Sequence, residues 1–179
     1  PKHPLREKLS GIYQHRARRS DSRLLEGFGE AFPVPVSRHT EIRAADLPDG
    51  AGLAILADSA DAGLCLVEDR RNRAIYMFNH LEYDAGTLRD EFLRDRSAGK
   101  PAGIPVTYFP EDDPARAPEN VWRPFAHLLF RNWLEEVQRT ASPREIGKPL
   151  SDVSWPRLDR GKPSLPHQLP PLRSSVSFP

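Results

Sequence analysis

The chain has 179 residues, 38% of them hydrophobic and 28% charged, enough for one globular domain with a sizeable core. Twenty-six Lys and Arg against 25 Asp and Glu leave a formal net charge of +1, which gives no reason to expect a nucleic-acid partner, and the basic cluster HRARRSDSR (15–23) reads as a solvated edge. The single cysteine excludes an internal disulfide, and no apolar run reaches the roughly 20 residues of a membrane-spanning helix, so no membrane partner is expected and a cytoplasmic setting fits best.

In chain order, LSGIYQH (9–15) reads as a strand, and VPVSRHTEIRA (34–44) follows it after a loop punctuated by Gly27, Gly29, Pro33 and Pro35. Three short apolar runs come next: LAILAD (53–58), GLCLVED (63–69) and RAIYMFN (73–79). Loop-type or charged residues separate them, and Asp69 to Asn72 forms a turn between the last two; these are neighbouring strands. TLRDEFLRDRSAG (87–99) carries helix signals, with Thr87 as N-cap, Asp90 three residues later, and Gly99 then Pro101 at its end.

The clearest helix is ENVWRPFAHLLFRNWLEEVQR (119–139), where Trp122, Phe125, Ala126, Leu129, Phe130, Trp133, Leu134 and Val137 recur at helical spacing and predict one buried face. Beyond residue 140 the composition changes. Eight of the 19 prolines lie in the last 39 residues, a density that forbids regular helix and predicts an extended tail over 141–179.

The chemistry concentrates in YMFNHLEYDAGTL (76–88), where His80 and Glu82 stand two apart as an apolar run gives way to a polar turn. In extended backbone such residues share a side, so both can face one cleft. An imidazole acting as a base needs its second nitrogen held in one tautomer, and a carboxylate is the usual partner. Taken alone, an H-x-E pair is more often structural or solvated than catalytic.

The pair belongs to a longer constellation. Asn79-His80-Leu81-Glu82-Tyr83-Asp84, the helix Thr87 to Gly99, YFPEDDP (108–114) and WRPFAHLLFRNWL (122–134) follow PKHPLREKLSGIYQH (1–15) and GFGEAFPVPVSRHTE (27–41). In order and spacing this resembles the homoserine O-acyltransferase family of methionine biosynthesis, with its G-H-P-E-Y-D signature, over roughly Pro1 to Leu134. The resemblance implies the C-terminal portion of an α/β domain with a class I glutamine amidotransferase-like, flavodoxin-like sheet. It implies a ping-pong reaction in which a Cys takes a succinyl or acetyl group from acyl-CoA and passes it to the hydroxyl of homoserine, or of serine, with no cofactor or metal beyond that co-substrate.

Carried over by motif, the resemblance makes His80 the base and Glu82 its orienting carboxylate, with Lys8, Ser37 and Arg94 binding substrate. The set is chemically sensible, because a zwitterionic amino acid needs a cation for its carboxylate and Arg94 offers a planar fork.

Departures from the pattern carry expectations of their own. The family's nucleophilic Cys lies upstream of the Pro-Lys segment, so the 179 residues alone are expected to be inactive; Cys65, inside GLCLVED, reads as a small core hydrophobe. A sheet cut at Pro1 would leave an open edge, which predicts a homodimer or pairing with a preceding portion. Asn79 and Leu81 stand where the family usually has Gly and Pro, which predicts a reshaped turn. The competing readings are a glutamine amidotransferase-like hydrolase and a non-catalytic binding relative.

Overall fold

A computed structural model describes residues 1–141. It shows a mixed α/β arrangement of five strands and two helices. The strands are β1 (His3–Ala17), β2 (Ala31–Glu41), β3 (Leu53–Ser59), β4 (Gly63–Asp69) and β5 (Ala74–Met77), in the order β2-β1-β3-β4-β5. Every neighbouring pair is antiparallel, with one isolated parallel bridge between Gly11 and Val106. The expected α/β class therefore holds, while the strands that pair are antiparallel where a flavodoxin-like sheet is parallel. The predicted tail lies outside the described residues, apart from Ala141.

The sheet follows from its side chains. β4 is apolar and nearly continuously buried, as a central strand covered on both faces should be, and β2 sits at an edge, where Pro33 and Pro35 cost no ladder bond on the open side. β1 is longer than the apolar run LSGIYQH predicts. Its first half is charged, and it is held by pairing His3 with Glu41 and Pro4 with Thr40. Between Pro4 and Leu9 the register shifts, an irregularity that takes Lys8 out of the regular alternation.

The sheet also curls back on itself. Past the end of β5, the Phe78 N–H donates to the Cys65 carbonyl of β4 at 2.9 Å, and the His80 N–H donates to the Pro35 carbonyl of β2, also at 2.9 Å. The segment after β5 thus ties the far edge of the sheet to the near one. His80 sits on that seam. Inside lie Phe32, Val34, Leu56, Cys65, Leu66 and Leu81, with Phe28 and Phe32 in edge-on contact at 4.7 Å.

Helix α1 (Thr87–Ser97) ends on Gly99 in the left-handed region, as the sequence signals require. Its N-cap is Gly86 rather than the predicted Thr87, and no side chain of the cap residue contributes. Tyr108 of the YFPEDDP element serves instead: its hydroxyl accepts the Arg89 N–H at 3.2 Å and donates to the Ala85 carbonyl. Helix α2 (Arg123–Thr140) buries Trp122 just ahead of it, then Ala126, Leu129 and Asn132. The Asn132 amide donates to the carbonyls of Leu24 and Glu26, at 3.1 and 2.9 Å, and pins the helix to the loop after β1. The prediction of one buried apolar face holds as far as Leu129, since Phe130, Trp133, Leu134 and Val137 are exposed.

Gly11 is buried in β1 with φ of 147°, a region that side-chain-bearing residues avoid. A Cβ there would lie 2.4 Å from the Val106 carbonyl oxygen. Only glycine lets the 104–107 segment lie against β1, where the Ile12 N–H donates to the Val106 carbonyl at 2.8 Å and the Thr107 hydroxyl donates to the Ile12 carbonyl at 2.5 Å.

Candidate active site

The turn after β5 alternates. Asn79 and Leu81 point inward and are buried, while His80 and Glu82 point outward with side chains 32% and 47% exposed. The imidazole Nδ1 lies 2.8 Å from Glu82 Oε1, so Nδ1–H donates to the carboxylate and Nε2 is left as the accepting nitrogen. Among the described residues Nε2 has no hydrogen-bond partner. This is the geometry that an H-x-E base requires.

The two departures from the family signature are core residues. The Asn79 amide donates to Nε2 of the fully buried His15 at 2.9 Å, and His15 Nδ1 donates in turn to the Tyr13 carbonyl at 2.9 Å. Burial pushes the His15 imidazole down from 6.5 to about 4, and the bond to Tyr13 opposes this only in part. Asn79 therefore latches the inside of the turn to β1, while its Oδ1 has no partner among the described residues. Leu81 fills the core that His80 and Glu82 turn away from.

The structure brings Lys8 and Ser37 together, with Arg94 alongside through Asp95. Lys8, displaced by the irregularity in β1, donates to Glu91 Oε2 and Asp95 Oδ2 of α1, both at 3.0 Å. The Ser37 hydroxyl, on β2 opposite Ser10, donates to the same Glu91 oxygen. Arg94 holds Asp95 Oδ1 through Nε and Nη2, at 3.2 and 3.0 Å, and its side chain is 65% exposed, so the rest of its fork is open. Lys8 is consequently the centre of an internal ion cluster, whereas Arg94 faces outward.

Burial works to raise the Glu91 carboxyl, but hydrogen bonds from Ser37, Lys8 and Tyr83, with the Lys8 charge, outweigh it and hold the group below its ordinary 4.5. The bonds from Lys8 and Arg94 likewise hold Asp95 below 3.8. Both carboxylates are ionised at neutral pH.

Sequence reasoning missed Glu91, Asp95 and Tyr83. Glu91 accepts from Lys8, Ser37 and, at 2.9 Å through Oε1, the Tyr83 hydroxyl. The available signal was spacing: Glu91, Arg94 and Asp95 fall at i, i+3 and i+4, on one face of α1. Cys65 lies fully buried in β4, and burial pushes its thiol up to about 12, so it is a core residue as predicted. Among the described residues no group of three or more His, Cys, Asp or Glu side chains is placed to hold a metal ion, and no helix is long and apolar enough to cross a membrane.

Comparison with known proteins gives the setting. A family model described as homoserine O-succinyltransferase matches residues 1–142. Among curated relatives, a homoserine O-acetyltransferase of Rhizobium johnstonii is 49% identical over 152 residues, which is 84% of this chain and 50% of the relative. The homoserine O-acetyltransferase of Hyphomonas neptunium is 49% identical over 150 residues, 83% of this chain and 49% of the relative. That of Rhizorhabdus wittichii is 51% identical over 161 residues, 87% and 49% respectively. The chain thus spans about half the length of the curated relatives it matches. The crystal structure of SMU.1228c superposes with a TM-score of 0.52 at 14% identity, covering 76% of this chain and 55% of that one, a likeness of fold alone.

Proposed function

The chain belongs to the homoserine O-succinyltransferase family, and from that premise we propose that it forms the His/Glu-bearing part of an enzyme that transfers an acyl group from acyl-CoA to the hydroxyl of homoserine. The observation that carries this reading is the His80–Glu82 pair, bonded at 2.8 Å on an outward-facing turn with Nε2 open. On this reading the fold is the C-terminal portion of an amidotransferase-like domain, working in the cytoplasm.

In the proposed reaction Nε2 of His80 takes the proton of a cysteine thiol, which the family resemblance places ahead of the Pro-Lys segment. The thiolate attacks the acyl carbonyl, and the imidazolium returns its proton to the departing CoA sulfur. Nε2 then takes the proton of the acceptor hydroxyl as its oxygen attacks the thioester, and gives it to the leaving cysteine sulfur. Glu82 holds the tautomer and stabilises the imidazolium in both halves. Arg94, with most of its fork open, is assigned the acceptor's carboxylate. The cluster of Lys8, Ser37 and Glu91 forms the polar floor beside it.

The family name specifies succinyl and the relatives' names specify acetyl, so the test offers both donors. The enzyme containing this chain is incubated with acetyl-CoA or succinyl-CoA, then with homoserine or serine, and its intact mass is followed. The expected result is one acyl addition that is discharged by one acceptor and is absent in His80→Ala. An unchanged mass with every combination refutes the reading, and glutamine hydrolysis without acyl-CoA would replace it with the hydrolase.

A further inference from the structure

The His80–Glu82 bond fixes one edge of the imidazole, yet both side chains are partly exposed, and a single bond to an exposed carboxylate leaves the ring free to rock about that edge. A second contact removes this freedom. The His80 ring lies flat on the ring of Tyr83, with centroids 4.2 Å apart and planes 11° from parallel. Tyr83 itself is anchored at both ends: its hydroxyl donates to Glu91 at 2.9 Å, and its carbonyl accepts the indole N–H of the fully buried Trp122 at 2.9 Å.

The electronic state of that platform is also set. Burial, then the bond and the charge of Glu91, push the Tyr83 phenol well above its ordinary 10, so it stays neutral while an imidazole titrates. A phenol that donates its proton toward a carboxylate has an electron-rich ring, and a cation stacked on such a face is stabilised. The groups around His80 are Glu82 on its own turn, the Pro35 carbonyl from β2, and, behind Tyr83, Glu91 of α1 with Lys8 of β1 and Ser37 of β2.

We propose that Tyr83 is a positioning residue for His80, a platform that fixes the plane of the imidazole and links it through Glu91 to the Lys8–Ser37 cluster. The catalytic meaning of this role rests on the function proposed above. The contact does not.

The test is a histidine-resolved NMR spectrum at neutral pH of the 179-residue chain, unsubstituted and as Tyr83→Leu and Tyr83→Phe. In the unsubstituted chain the His80 ring protons should be displaced upfield of those of the exposed His39 by the ring beneath them. Tyr83→Leu should abolish the displacement, because the ring that causes it is gone. Tyr83→Phe should keep the displacement. The buried His15 signals report whether each variant is folded.

An unsubstituted chain with no upfield displacement overturns the proposal, and so does a folded Tyr83→Leu with unchanged His80 shifts. In the enzyme containing this chain, Tyr83→Leu should lower kcat severalfold, leaving KM for acyl-CoA unchanged, with Tyr83→Phe restoring most of the rate. Absence of acyl transfer in the unsubstituted enzyme would refute the preceding function and leave the ring-displacement result standing.

Discussion

Helices α1 and α2 distribute their side chains in opposite ways. α1 turns Glu91 and Asp95 inward onto Lys8 and Ser37, while α2 beyond Leu129 leaves Phe130, Trp133, Leu134 and Val137 outside. The first arrangement is costly, since each ion must shed water, and its gain is orientation: four strand-borne and helix-borne groups are held in one geometry. The second half of α2 gains little from the core. Hydrophobicity explains where α2 begins to pack and why α1 buries Leu88 and Phe92, and it does not explain why Glu91 and Asp95 also face inward.

The sharpest way to break that comparison is to remove the cation in α1's cluster. Lys8→Met leaves two inward-facing carboxylates without their shared partner and should cost about 3–5 kcal/mol, read as a lower urea midpoint at neutral pH. A loss below about 1 kcal/mol would show that the cluster is solvated in solution.

Acid separates the groups next. His15 is held at about 4 in the fold against 6.5 unfolded, so on acidification the unfolded chain binds a proton first. Its contribution is fully present above pH 6.5 and falls by about 3 kcal/mol as the pH drops to 4. Glu91 and Asp95 are depressed carboxyls, so theirs is present above 4.5 and 3.8 and is lost below those values as the pH falls through the folded pKa values. Unfolding measured from pH 8 to 3 should show both steps in the unsubstituted chain. Replacing His15 by Gln should erase the upper step alone.

Along α2 the prediction is a contrast. Leu129, 5% exposed, should cost about 3 kcal/mol on truncation to Ala, whereas Leu134, 52% exposed, should cost under about 1 kcal/mol. Equal losses in urea titrations would mean that Leu134 is covered in solution. The smallest expected effect is Arg94→Ala, whose side chain is 65% exposed and should change stability by no more than about 0.5 kcal/mol. In the enzyme containing this chain it should nonetheless raise KM for the amino-acid acceptor severalfold, and unchanged kinetics would remove Arg94 from the site.

Much of this was legible in the residues. The runs at 53–58 and 63–69 became β3 and β4 because short apolar segments between turn residues have few alternatives. That His80 and Glu82 share one side was legible from their spacing, while their assigned roles came from the family resemblance. The charged first half of β1 was not, since its strand character comes from pairing with β2 rather than from its own side chains. Glu91 was not singled out, because only the fold brings Lys8 and Ser37, 83 and 54 residues away, against it. Periodicity correctly marked the apolar face of α2, but it carries no information about how much of that face another element covers.

The seat of the 104–107 segment on Gly11 has a kinetic meaning. The Thr107–Ile12 bond closes a span of 95 residues, and the same segment leads directly to Tyr108, which caps the start of α1. A contact of such long range is slow to form, because the intervening loop must be closed before it yields anything. The helix that carries Glu91 and Arg94 is thus capped by a segment seated only when β1 and residues 104–107 have met, so during synthesis this part of the site forms late.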